Sequence, residues 1–206
     1  MLIEGLNYKE LAQVPSDILQ PIVDACSNFN WSGKAYDQPI TSGALSGGKT
    51  LEFPFISRHP STRFRPYSKE ETDLLNTAMP LFEYIQSFLG KPILLVRCEF
   101  ATLPPKTTIR WHVDSNHKFF AYCKRIHIPV TTNDLCEQMW EAETTRFMPG
   151  YMYEYNNQIK HCASNNGITP RTTLILDVID ESEWEPLTEA KVFNKHLKPM
   201  GLIRTL

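Results

Sequence analysis

The chain has 206 residues, 42% of them hydrophobic, and a formal net charge of −2 from 21 Lys or Arg against 23 Asp or Glu. That length suits a single domain with a sizeable core, and the near-neutral charge gives no basic field for nucleic acid. No window is apolar enough for a membrane span, so neither a membrane nor a nucleic acid is expected as partner.

The opening residues lack a charged-then-apolar export pattern. Five cysteines (Cys26, Cys98, Cys123, Cys136, Cys162) are odd in number and hold no C-x-x-C pair. That speaks against a disulfide framework and for reduced thiols in the cytoplasm. Residues 1–90 read as a helical and loop-rich region, 91–180 as a β-rich core and 181–206 as a tail. Ser16-Asp17 offers an N-cap to a helix carrying Ile18, Leu19, Ile22, Val23 and Cys26. From 28 to 66 the chain is rich in Gly, Pro, Ser and Thr, with a short strand expected at 50–56. Ser68 and Glu71 make a capping box for the clearest helix, whose apolar stripe is Leu74, Leu75, Leu81, Phe82, Ile85 and Leu89. Pro80 is expected to kink it, and Gly90 with Pro92 to end it.

Beyond that helix the periodicity changes to strands at 93–100, 124–131, 146–153 and 172–179. Turns are expected at Pro104-Pro105-Lys106, Thr132-Asn133-Asp134, Asn156-Asn157 and Asn165-Asn166-Gly167, and one more helix at 187–197. Helices followed by short strands predict an α+β, mainly β architecture, with helices packed on one face of a sandwich or rolled barrel.

The residues that carry chemistry fall in the strand-rich part. His112 and Asp114 are two apart, a spacing that puts both side chains on one face of an extended strand. His161 supplies a second imidazole from a distant segment. Two imidazoles and a carboxylate suit Fe(II) better than the thiolate sites of zinc or copper(I), and three ligands on one side leave open positions for co-substrate and dioxygen. Arg171, ten residues after His161, has the forked geometry that binds a carboxylate in two parallel hydrogen bonds, here that of 2-oxoglutarate. An isolated H-x-D is common by chance; the joint pattern gives it weight.

Several blocks resemble the aspartyl/asparaginyl β-hydroxylase family. They are Arg125-Ile126-His127-Ile128-Pro129-Val130-Thr131-Thr132-Asn133, the run Gly150-Tyr151-Met152-Tyr153-Glu154-Tyr155-Asn156-Asn157, and His161-x-x-x-Asn165 followed by Arg171-x-x-Leu174-Ile175-Leu176-Asp177. The resemblance spans roughly residues 94–178. It implies a double-stranded β-helix (cupin-like jelly roll), Fe(II), 2-oxoglutarate, and hydroxylation of an amino-acid side chain with release of succinate and CO2. It further implies His112, Asp114 and His161 as metal ligands, Arg171 as the anchor of 2-oxoglutarate, and Arg125 and His127 as lining the pocket near co-substrate and substrate. Trp111 and Asn165 are placed with Arg125 on the substrate side. Some members lack the carboxylate ligand that stands here as Asp114. The family's serine partner for the co-substrate carboxylate is replaced by Ala101, with Thr102 or Thr173 as substitutes. The expected substrate is a small molecule or a peptide, with peptidyl Asp or Asn and free proline among the candidates.

Competing readings are a cupin-like binding module without catalysis and a nucleotide binder using Gly43-Ala44-Leu45-Ser46-Gly47-Gly48-Lys49-Thr50. The latter satisfies the phosphate-loop pattern, but Pro54 prevents the helix that the loop requires. His117 is an alternative ligand. His59 and His196 read as surface residues, Trp140 as core or pocket wall, and Arg58, Arg63 and Arg65 as a loop cluster suited to a substrate carboxylate.

Overall fold

The computed structural model describes residues 5–31, 49–54, 67–114, 118–190 and 192. Along them run β1 (Tyr8–Gln13), α1 (Ser16–Asn28), β2 (Lys49–Pro54), α2 (Lys69–Leu89), β3 (Ile93–Leu103), β4 (Thr107–His112), β5 (Lys124–Thr131), β6 (Cys136–Trp140), β7 (Glu143–Thr145), β8 (Tyr151–Tyr155), β9 (His161–Asn165), β10 (Arg171–Asp180) and α3 (Trp184–Glu189). Two antiparallel sheets result, one ordered β1-β8-β5-β10-β3-β2 and one ordered β4-β9-β6-β7. From β3 onward the chain passes back and forth between them. That alternation makes a double-stranded β-helix.

The larger sheet is amphipathic across its pleat, and this decides where everything else goes. One face carries Cys98, Phe100, Ile126, Ile128, Val130, Leu174 and Leu176, which bury against Ile22 and Cys26 of α1 and Leu74, Ala78, Leu81, Phe82 and Ile85 of α2. Each such large side chain contributes about 1.5–3 kcal/mol by leaving water. Residues of opposite parity point the other way, toward the smaller sheet. They include Arg97, Arg125, His127, Arg171, Thr173 and Asp177, all buried. A row of buried charge between two sheets costs free energy unless it is paired or used.

The helix at 69–89 begins as expected. Ser68 Oγ accepts from the Glu71 amide at 3.2 Å, and the Glu71 carboxylate accepts from the Ser68 amide at 2.7 Å. Gly90 closes it in the left-handed region at φ 66. Pro80 lies inside α2 without ending it. Helix α1 starts one step earlier than expected: Pro15 is the N-cap, no side chain caps, and Ser16 is already helical. The fixed φ of proline presets that entry.

Three strand expectations shift. The run 146–153 is a strand only from Tyr151. Gly150 takes φ 76, and a Cβ there would stand 2.6 Å from Leu19 Cδ2, so this turn needs glycine. Residues 8–13, expected in the helical region, form edge strand β1 against β8. Their Lys, Glu, Leu, Ala and Gln favour helix locally, and pairing with β8 overrides that preference. The strand expected at 50–56 is β2, which Lys49 opens by pairing with Thr102. Lys49-Thr50 therefore enters a strand where a phosphate loop needs a helix N-terminus; residues 43–48 lie outside the described residues. So do Arg58, His59, Arg63, Arg65, His117 and His196. The tail helix is α3, shorter and earlier than 187–197. No helix among the described residues is long and apolar enough to cross a membrane.

Candidate metal centre

His112 ends β4, and its Cα partner across the smaller sheet is His161 of β9. Asp114 stands beyond the strand end, in a turn pinned by its amide donating to Asn157 O at 3.1 Å. The two-residue spacing thus works, although only His112 is on the strand. The ligand atoms of His112, Asp114 and His161 all lie within 4.8 Å of one another. His112 Nε2 is 3.4 Å from Asp114 Oδ1, and His161 Nε2 is 3.8 Å from Asp114 Oδ2.

Backbone carbonyls settle the orientation of both rings. His112 Nδ1 lies 2.7 Å from Arg110 O, and His161 Nδ1 lies 2.8 Å from Ile159 O. A carbonyl only accepts, so each Nδ1 carries a proton and each Nε2 faces the carboxylate. With both rings neutral, two imidazole lone pairs and a carboxylate converge. That arrangement fits a divalent cation held on one side, with His112 and Asp114 partly exposed on the other.

Arg125 is the cation that Asp114 already has. Its Nη1 donates to Asp114 Oδ2, while Nε and Nη2 grip Asp177 at 2.8 and 3.0 Å. Burial works against ionisation of Asp114, but Arg125 and the two histidines outweigh it and hold its carboxyl well below the usual range. Burial also lowers the proton affinity of His112, yet the hydrogen bond and charge of Asp114 leave it raised. His161 is pushed down to about 4, chiefly by burial.

Deeper between the sheets is a second polar group. Arg171 is 5% exposed, and no carboxylate pairs with it among the described residues. With its amide oxygen turned to the guanidinium, Gln138 of β6 accepts from Arg171 Nη1 at 2.9 Å and from Nη2 as well. His127 stacks on Tyr155 with ring centroids 4.1 Å apart, and both its ring nitrogens lack a hydrogen-bond partner. Burial, then Arg125 and Arg171, drive its pKa well down, so it is neutral, with one donor and one acceptor to offer. The Tyr155 hydroxyl, kept protonated mainly by burial, lies 3.4 Å from the Gln138 amide. A buried guanidinium with no carboxylate partner among the described residues is costly unless a ligand bearing a carboxylate completes it.

The remaining expected site residues are placed as follows. Thr173 is buried on the face that carries Arg171, opposite Ala101 and Pro129. Thr102 bonds Thr172 at 3.1 Å on the other face, which removes it as the serine substitute. Asn165, expected on the substrate side, is consumed by the fold: its amide donates to Leu103 O and Thr169 O at 2.9 Å, and its oxygen accepts from Asn133 and Gly167. Trp111, expected beside it, is 47% exposed, with Lys160 Nζ 5.9 Å over its ring. Arg125, expected to meet substrate, is occupied by Asp114 and Asp177. Gln138 and Tyr155 were not singled out. The alternation Cys136-Glu137-Gln138-Met139-Trp140 could have placed Gln138 inward, had β6 been read as a strand.

These shifts fix how the metal-free protein responds to acid. His161 and His127 have folded pKa values below the ordinary value of about 6.5, so between there and about pH 4 the unfolded chain binds more protons. Asp114 and Asp177 are likewise lowered, so their contribution is present above about 3.9 and lost below it. Thermal melts of stripped protein are expected to fall in two acid steps, with raised His112 offsetting part of the first. A melting temperature flat from pH 7 to 4 would contradict the buried neutral histidines.

The model of the aspartyl/asparaginyl beta-hydroxylase family matches residues 67–181. Among solved structures, a 2OG-Fe(II) oxygenase family oxidoreductase from Burkholderia pseudomallei aligns with TM-score 0.54 at 12% identity, covering 87% of this chain and 92% of that one. A prolyl hydroxylase from Trichoplax adhaerens, in complex with a hypoxia inducible factor peptide fragment, aligns with TM-score 0.54 at 13% identity over 88% and 87% of the two chains. A Pseudomonas putida prolyl-4-hydroxylase gives 0.50 at 14% identity over 86% and 94%. At these identities the likeness is one of fold. A search of curated proteins finds no match. With more than half its length matched by the family model, the chain belongs to the aspartyl/asparaginyl β-hydroxylase family.

Proposed function

We propose that this protein binds Fe(II) at His112, Asp114 and His161, uses 2-oxoglutarate as co-substrate, and hydroxylates a C–H bond of an amino-acid side chain, in a peptide or in a free amino acid such as proline. The observation that carries the reading is Arg171, a buried guanidinium that has no carboxylate partner among the described residues and lies on the sheet face that also holds Arg125 and Asp177. A dicarboxylate is a ligand that can pair with such a cation at one end and chelate a metal at the other.

When bound, Fe(II) with 2-oxoglutarate and dioxygen supplies the oxidising power for hydroxylation, and succinate and CO2 are the co-products. The rest falls to the residues. His112, Asp114 and His161 hold the metal through one face and leave the other free. Arg171 receives the far carboxylate, and Gln138 and the Tyr155 hydroxyl re-aim toward it. Neutral His127 has one N–H to donate to the same ligand without adding charge. Arg125 keeps the Asp114 carboxylate ionised and aimed. Trp140, Phe147, Tyr153 and Tyr155 form an apolar cluster beside the polar groups that limits water at depth. The peptide bound by the Trichoplax enzyme makes a peptide substrate a natural first panel.

The test is succinate release from anaerobically iron-loaded protein, with mass spectrometry for a +16 shift across peptides and free amino acids. Iron binding with 2-oxoglutarate-dependent succinate release supports the reading. Absence of both favours the cupin-like binding module.

A further inference from the structure

We propose that Asp177 is a positioning residue for the metal centre: it holds Arg125, and Arg125 in turn fixes where the Asp114 carboxylate faces. The inference rests on the reading of His112, Asp114 and His161 as ligands. Asp177 lies on β10 with no exposure to solvent. Its Oδ1 accepts from Arg125 Nε at 2.8 Å and its Oδ2 from Arg125 Nη2 at 3.0 Å. A guanidinium is planar, so a grip on the Nε–Nη2 edge sets the direction of the remaining nitrogen. That nitrogen, Nη1, is the one that donates to Asp114 Oδ2.

Two further contacts hold the plane. The Phe120 ring covers Arg125 Cζ at 4.6 Å and Arg97 Cζ at 4.8 Å, and Arg97 Nε donates to Asp177 Oδ2 at 2.8 Å. Asp114 needs such help because of where it sits. It is past the end of β4, outside the ladder that pairs His112 with His161, and among the described residues its backbone is tied by a hydrogen bond to Asn157 O. A carboxylate on a turn loses rotamer freedom when it takes a metal, and a fixed Arg125 removes that freedom beforehand. Burying three charges for the fold alone gives little, since apolar packing serves a core as well or better. Their line ends on a ligand oxygen, which gives the burial a use.

The test measures Co(II) affinity and the visible Co(II) spectrum of the full chain without co-substrate, in a cycle of Asp177→Asn, Asp114→Ala and the double variant. Asp177→Asn is expected to weaken Co(II) by roughly 10- to 100-fold, the range for losing a partner of a ligand, and to alter the spectrum. In the Asp114→Ala background the same change should move affinity little, because the residue through which it acts is gone. Equal losses in both backgrounds would mark Asp177 as structural and overturn the proposal, as would unchanged affinity in the single variant. Should Asp177→Asn fail to melt cooperatively, Arg125→Lys goes through the same cycle, because lysine keeps the charge and lacks the fork. Failure of the unsubstituted protein to bind Co(II) would instead overturn the metal-centre reading itself.

Discussion

His161→Ala is expected to abolish stabilisation by divalent metal and, with it, 2-oxoglutarate turnover. His161 is the buried member of the three, ringed by Tyr155 with centroids 5.1 Å apart and by His112 at 4.3 Å. No other described side chain of the cluster can replace its Nε2. A metal at a hundred times its Kd raises stability by about 2.7 kcal/mol, several degrees in a chain this size. The variant should show none of that shift. It should also lose part of the acid step between about pH 6.5 and 4, because the imidazole that resists protonation is no longer there. Titration calorimetry and melts with and without Mn(II) read both effects. Metal stabilisation equal to that of the parent protein would remove His161 from the ligand set, and full turnover would end the assignment.

Arg171→Met is the second large effect, and its two halves point in opposite directions. Binding of 2-oxoglutarate is expected to weaken by about 2–4 kcal/mol, roughly thirtyfold to a thousandfold, the cost of removing one partner from a buried hydrogen-bonded charge pair. The metal-free, ligand-free protein, by contrast, should be unharmed or more stable. It no longer buries a guanidinium whose described polar partner is the Gln138 amide, and an apolar chain of similar length fills the space. The 2-oxoglutarate-dependent rise in melting temperature should vanish while the baseline rises. Arg171→Met with a lower baseline and intact 2-oxoglutarate binding would place the co-substrate carboxylate on another residue. Stability and function are traded at this one residue.

The sequence made the larger sheet and α2 legible for a common reason: both carry strong apolar periodicity on one face. Residues 124–131 and 172–179 alternate because one face packs helices, and Ser68 with Glu71 announces the helix start. The smaller sheet was not legible. Its strands β4, β6, β7 and β9 are short, and buried positions in β6 and β9 are held by polar residues, Gln138, His161 and Asn165, which weaken the apolar signal by which a strand is read. Edge strand β1 was hidden by local helix preference. In the site, His112, Asp114, His161 and Arg171 could be singled out because the chemistry proposed for them demands those residue types, and the structure brings the first three together. Arg125 was read as facing substrate, and only the structure shows it spent on Asp114 and Asp177. A pairing between residues fifty-two apart in the chain leaves no local trace.

The imidazoles of His112 and His161 are each oriented by a main-chain carbonyl two residues earlier in the chain, Arg110 O and Ile159 O. A carbonyl is present whatever side chain its residue bears. Ile159 also packs against the cluster of Trp140, Phe147, Tyr153 and Tyr155, whereas the Arg110 side chain is exposed. Position 110 can therefore be rewritten while its carbonyl goes on aiming His112, and for an engineer it is the one to randomise first.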